Sequence, residues 1–271
     1  MSINNNNWLI EDPCINKWFG VYCNLRGNII GLIFNDNFVQ GIISSEVING
    51  LIYLERIIIV NTLRYKTTLN ENIIYYLSPE IWKLSNLNEV VIKNVNLKQS
   101  IYTLFPENDI NIISNVEIIE LDYNLIYDEL ANFTRFEKLK ILSLSNNNLS
   151  GGLDNLDTII SDIEIIQLND NNFSGEVPNL NNLQNNKKLE VLDLRNNTKL
   201  NGVLPQNFFS EEYFPNLKYI GLILTHITTP PNCRNHAICI KRLIQKSKSI
   251  HDEDFELTEY EINFLLPRNF G

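Results

Sequence analysis

The sequence predicts an α/β solenoid of about eight stacked coils, each giving one strand to a parallel sheet along one side. Three observations predict it. One frame, LxxLxLxxNxL, recurs along the chain at intervals of 23 to 33 residues. An asparagine recurs at the ninth position of that frame. The four cysteines are confined to two short end segments, 14–23 and 233–239.

The frame is plainest in four consecutive copies: VEIIELDYNLI from Val116, LKILSLSNNNL from Leu139, IEIIQLNDNNF from Ile163 and LEVLDLRNNTKL from Leu189. Weaker copies start at Ile29, Leu54, Leu87 and Leu217. The ninth position falls at Asn37, Thr62, Val95, Asn124, Asn147, Asn171, Asn197 and Thr225. Within a copy, Leu142 and Leu144 lie two apart, so a strand sends both to one face and Ser143 and Ser145 to the other. One such strand cannot bury its leucines alone. Stacking copies about 4.8 Å apart makes a continuous sheet with a continuous core beneath it.

The chain must then turn sharply, and the buried N–H and C=O groups of the turn need partners. A carboxamide carries both donors and an acceptor, so Asn124, Asn147, Asn171 and Asn197 are expected to form a ladder that satisfies the turns. Asn146 and Asn148 are expected to be polar bystanders. With 43 asparagines in the chain, the weight rests on the leucine spacing rather than on asparagine alone.

The frame resembles that of leucine-rich repeats. LSGGL, FSGEVP and LNGVLP resemble the plant-type subclass, as does SPEIWKLSNLNEV over 78–90. The resemblance covers roughly residues 8–230 and is loose before Leu87. It implies a right-handed coil with the sheet on its concave face. DPCINKWFGVYC, 12–23, resembles the plant-type N-terminal cap signature. That implies a Cys14–Cys23 disulfide, with Trp18 and Val21 covering the first coil. The family's cap has a helical segment before its tryptophan, so a leader and part of a helix are expected to be missing ahead of Trp8. The expected division is a cap over 1–28, repeats over 29–229, and a C-terminal cap and tail over 230–271, all one continuous domain.

At the other end, PPNCRNHAIC admits three readings: a second cap disulfide between Cys233 and Cys239, free thiols, or a zinc site from Cys233, His236 and Cys239 with His226 as fourth ligand. The C-x2-H-x2-C spacing matches no strong zinc pattern, so the disulfide is the expectation and no metal is assigned. Two cysteine pairs at two ends imply an oxidising compartment. The tail from Ile240, basic then acidic, is expected to add a short helix on the last coil. Asn132, Asn148, Asn172 and Asn196 head N-x-S/T triplets, but the composition predicts about four by chance, so they carry no weight.

Composition narrows the function classes. A net charge of −10 disfavours a nucleic-acid binder, which needs a positive field. No apolar run approaches the roughly 18 residues of a membrane span, and MSINNNNWLI has neither the basic nor the apolar region of a secretory signal. There is no HExxH, GxSxG or phosphate-cradling glycine loop, so neither catalysis nor a cofactor is expected.

What remains is the outer, concave face of the sheet. The frame places Glu117, Ile118, Glu120, Asp122 and Tyr123 there; then Lys140, Ile141, Ser143, Ser145 and Asn146. Glu164, Ile165, Gln167, Asn169 and Asp170 follow, and then Glu190, Val191, Asp193, Arg195 and Asn196. The stripe is mostly acidic, with one aromatic of the type enriched in interface hot spots, Tyr123, and one arginine. Ile118, Ile141, Ile165 and Val191 form an apolar column. The expected function is a monomeric, non-catalytic recognition module binding a protein, peptide or glycan, extracellular or at the cell surface. The resemblance implies receptor ectodomains or secreted inhibitors. The alternatives are a scaffolding or adhesion module of a longer surface protein, and an intracellular interaction protein.

Overall fold

The structure is a computed structural model describing residues 12–62, 71–107, 113–178, 180–184 and 187–231. The segment before Asp12, the Cys233–Cys239 pairing, the zinc alternative at His236 and the tail lie outside these residues.

Among the described residues, nine strands form one sheet. The first, Val21–Cys23, is antiparallel to the second. The other eight are parallel and define coils 1 to 8: Ile29–Asn35, Arg56–Val60, Glu89–Lys93, Ile118–Glu120, Ile141–Ser143, Ile165–Gln167, Val191–Asp193 and Tyr219–Gly221. Their register is unbroken, with Leu32, Ile57, Val90, Ile119, Leu142, Ile166, Leu192 and Ile220 side by side at the frame's fourth position. From Ile57 through Leu192 these side chains are fully buried. They form one core with the frame's other apolar positions.

A second, broken set of parallel strands runs along the flank: Gln40–Ile43 with Ile73–Leu77, Tyr127–Glu129 with Asn148–Ser150, and Ser174–Glu176 with Lys199–Asn201. Where the described residues of coil 3 contribute no strand to it, the Gln99 carboxamide substitutes, accepting from Leu77 N (3.0 Å) and donating to Leu77 O (3.0 Å). Short helical turns close the far side. The turn Pro79–Lys83 is capped by Ser78 Oγ and places Trp82 against Phe105 (4.9 Å, stacked) and Phe136 (5.4 Å, edge-on). The buried indole N–H donates to Leu104 O at 2.6 Å, so this large side chain leaves no polar group orphaned.

The amino-terminal end is closed by a disulfide, Cys14–Cys23. Asp12 Oδ1 accepts from the amides of Cys14 and Ile15, setting the cap's first turn. Gly20 has φ +78°, and a Cβ there would run into the Phe34 ring, so the cap can lie on coil 1 only with glycine at this point.

Each ladder asparagine spans two coils. Asn147 Nδ2 donates to Leu121 O of the preceding coil (3.0 Å) and to Leu144 O and Ser145 O of its own, while its Oδ1 accepts from Ile126 N (3.0 Å). Asn171 repeats the pattern with Leu149 N, and Asn197 with Phe173 N. Asn124 accepts from Leu97 N and Val95 N.

Two expectations are corrected. In coil 2 the ninth position falls at Thr62 by counting, but the carboxamide of Asn72 fills the place, ten residues further on. Its Oδ1 accepts from Val39 N (3.0 Å), and its Nδ2 donates to Phe34 O and Val60 O. Asn146 is not a bystander either. It has φ +54°, and the residue at the same point of other coils shares the left-handed conformation: Asp36, Asn94, Tyr123, Asp170, Asn196 and Leu224. Asparagine and aspartate tolerate that conformation best among side-chain-bearing residues, which accounts for their frequency there. Asn148 is engaged as well, its Oδ1 accepting from Asn172 Nδ2 (3.0 Å).

Candidate functional site

The concave face carries three parallel tracks, because strand alternation turns every second residue outward and the unbroken register lines equivalent residues up across coils.

The central track is apolar. Ile141, Ile165 and Val191 cluster together, with Ile118 and Tyr219 packed at the two ends. The three central members are only 4–6% exposed. The column is therefore a small secondary core roofed by its neighbours, not an open hydrophobic strip.

The second track is polar and bonded coil to coil. Lys93 Nζ lies 2.5 Å from Glu120 Oε2 and 3.1 Å from Asp122 Oδ2. Burial opposes charge on this lysine, but the carboxylates of Asp122 and Glu120 outweigh it and hold the ammonium well above its ordinary range. Asp122 Oδ1 accepts from Ser143 Oγ (2.5 Å) and Ser145 N (2.9 Å). Ser143 Oγ lies 3.1 Å from the Gln167 carboxamide, and Ser145 Oγ donates to Asn169 Oδ1 (2.7 Å). Asp170 accepts from Asn169 Nδ2 and Asn196 Nδ2, both at 2.6 Å. Beside the track's end lies a fork in which Arg195 Nε and Nη2 donate to the Asp193 carboxylate (2.6–3.0 Å). The guanidinium sits 5.9 Å from the centre of the Tyr219 ring. A Cβ at Gly221 would collide with Asp193 and crowd Arg195, so the fork depends on glycine in the last strand.

The third track runs along the other edge. Lys140 Nζ pairs with Glu117 (2.6 Å) and Lys218 Nζ with Glu190 (2.7 Å). The Lys140 ammonium is pushed up by its hydrogen bond to Glu117 and by that carboxylate's charge, with a smaller contribution from Glu164.

The stripe is thus less acidic in effect than its composition suggests. Lys93 and Lys218, which neutralise it, lie in coils 3 and 8, beyond the four plain copies of the frame. Ser143 and Asp193 are 1% exposed and Asp122 5%, so these hold the face together from within. Glu117, Ile118, Glu120, Tyr123, Glu164, Gln167, Asp170, Glu190 and Arg195 are half-buried, and Lys140 is exposed. His226 Nδ1 lies 2.6 Å from Thr198 O. No cluster of potential metal ligands occurs among the described residues, and no helix there is long and apolar enough to cross a membrane.

A second surface was not foreseen. Ile42, Tyr75, Tyr76, Tyr102, Leu125 and Tyr127 are exposed on the flank of coils 1–4. Ile42 pairs with Tyr76, and Ser100 bridges to Tyr127. The frame did not point to Ile42, Tyr75, Tyr76 and Tyr127, because strands outside the repeat's leucine pattern carry them, while Tyr102 lies on the helical turn Ile101–Leu104 and Leu125 at the frame's unconstrained tenth position.

Eight register-matched parallel strands, a carboxamide ladder, a flank of short strands and an amino-terminal disulfide cap define a plant-type leucine-rich-repeat solenoid. Solved structures agree. The chain is similar to the leucine-rich-repeat ectodomain of the Arabidopsis receptor kinase HAESA, solved with an extended IDA peptide hormone ligand. That likeness has TM-score 0.63 at 23% identity over 83% of this chain and 34% of that one. It is also similar to pollen receptor kinase 3 (TM-score 0.52, 25% identity, 81% of this chain and 85% of that one) and to a plant ice-binding protein (0.51, 18%, 83% and 66%). The chain thus spans about a third of the HAESA ectodomain. No family model and no curated protein sequence matches it.

Proposed function

We propose that the chain is a non-catalytic recognition module, extracellular or at the cell surface, that binds a protein, peptide or glycan through the concave face of coils 4–8. The observation that carries this reading is the cross-bonded polar track from Lys93 to Asn196, with the Asp193–Arg195 fork beside its end. It fixes side chains on a rigid sheet before any partner arrives, so little ordering entropy is left to lose on binding. The HAESA ectodomain, whose structure holds a peptide hormone, supports a ligand-binding role for the same fold, although fold alone does not give function. The disulfide supports an oxidising location. A contact role for the tyrosine-bearing flank is the second reading, since the paired strands there leave Ile42 and its register partner Tyr76 exposed together.

The test is a binding panel of immobilised glycans and secreted ectodomains probed with the wild type, with Tyr123→Asn plus Gln167→Arg on the concave face, and with Tyr76→Ser plus Tyr127→Ser on the flank. Asparagine at 123 retains the left-handed backbone. Loss of a wild-type ligand in the concave variant alone supports the proposal. Loss only in the flank variant transfers the role to the second surface.

A further inference from the structure

Resting on the concave-face reading, we infer that the partner is a polypeptide segment presenting a lysine or arginine side chain, and that Glu164 is the residue that selects it. The inference comes from an accounting of carboxylates. Glu117 is paired with Lys140, Glu190 with Lys218, and Asp193 with Arg195. Glu120 and Asp122 share Lys93. Asp170 accepts from two asparagine amides. Glu164 lies between Lys140 and Glu190 on the edge track, and no hydrogen bond or ion pair engages its carboxylate among the described residues. The Lys140 ammonium feels its charge but sits on Glu117.

Its surroundings favour a cation. With Ile141, Ile165 and Val191 nearly closed off, the accessible face offers a partner polar and charged groups rather than apolar area. The two neighbours of Glu164 along its track are already the halves of other ion pairs, so a ligand cation there displaces nothing. Half-burial against the sheet lowers the local dielectric, which strengthens a charge-assisted hydrogen bond relative to one at a fully exposed glutamate. With Lys140 and Glu190 each balanced by its own partner, the charge a ligand meets at this place is that of Glu164, which attracts a cation and repels an anion. A basic side chain on an extended segment can reach Glu164 while its backbone lies over Gln167 and Asn169, whose carboxamides match peptide groups.

The test uses a positional-scanning library of synthetic hexapeptides, each position fixed in turn as arginine, lysine, norleucine, glutamate or serine. It is screened against the full chain and against Glu164→Gln and Glu164→Ala, each checked for an unchanged thermal midpoint. The wild type is expected to retain arginine- and lysine-fixed sets, more weakly as sodium chloride rises. Both variants are expected to lose that preference by about tenfold, the size of one charge-assisted contact. Wild type without a basic preference, or variants that keep it, overturns the inference. Selection of neutral or acidic peptides that Gln167→Arg abolishes sinks the role of Glu164 while leaving the concave face standing. A glycan as sole ligand in the panel also overturns it.

Discussion

Asn72 accepts a hydrogen bond from the backbone N–H of Val39 across 33 residues of sequence, as Asn147 does from Ile126. A ten-residue insertion in coil 2 therefore leaves the ladder intact, because the chain resumes with an asparagine where the turn needs one. Asn72 is fully buried and makes hydrogen bonds to five further backbone or side-chain groups. Asn72→Ala should cost about 2–4 kcal/mol, since several buried backbone groups lose their partner at once. Urea unfolding measures it, and Thr62→Ala, at the counted position, should cost less.

Lys93 bears a different kind of load. Truncating it leaves Glu120 and Asp122 together without a cation, so Lys93→Ala should destabilise by about 3–5 kcal/mol. Lys140→Ala removes a pair that water already screens and should cost at most about 1 kcal/mol. The pH dependence has a definite sign. The folded-state pKa of Lys93 is raised, so its contribution is complete below the unfolded value of about 10.4 and is lost as pH climbs toward the folded value. Urea midpoints between pH 8 and 11.5 should fall at the alkaline end in the wild type, and fall less in Lys93→Met.

Trp82 ties coil 2 to coils 3 and 4 through Phe105 and Phe136. Trp82→Ala should lose about 3–5 kcal/mol. Trp82→Phe should recover part of that while still lacking the bond to Leu104 O. Calorimetric midpoints of the two variants give the comparison.

Removing the cap disulfide by Cys14→Ser with Cys23→Ser should cost about 2–3 kcal/mol, with the loss concentrated in coil 1. In a repeat array contacts are confined to coils close along the stack, so amide exchange should rise over Ile29–Asn35 and leave Val191–Asp193, six coils away, unchanged.

How far the sequence could be read depended on what each residue contacts. Leu142 and Leu144 announce the coil because they answer to local alternation, and every well-formed copy repeats them. Asn72 was hidden because a frame counts residues, whereas the ladder depends on where the chain re-enters the turn. At coil 3 no asparagine exists to be found. Val95 stands there, and the Ile74 N–H bonds to its backbone carbonyl, a partner that leaves no trace in residue identity. The concave residues were locatable by register, but their pairing was not. Glu120 looks like a free acid until Lys93 is seen beside it, and that pairing joins residues 27 apart across two coils. The same limit applied to Ile141 and Ile165, which alternation points outward and neighbouring side chains then cover.

The most direct measurement is amide hydrogen exchange of the full chain with and without a ligand recovered from the panel. The account predicts slowed exchange over Ile118–Glu120, Ile141–Ser143, Ile165–Gln167 and Val191–Asp193 and the turns that follow them. Slowed exchange confined to the flank strands Gln40–Ile43, Ile73–Leu77 and Tyr127–Glu129, with the concave strands unaffected, would contradict it.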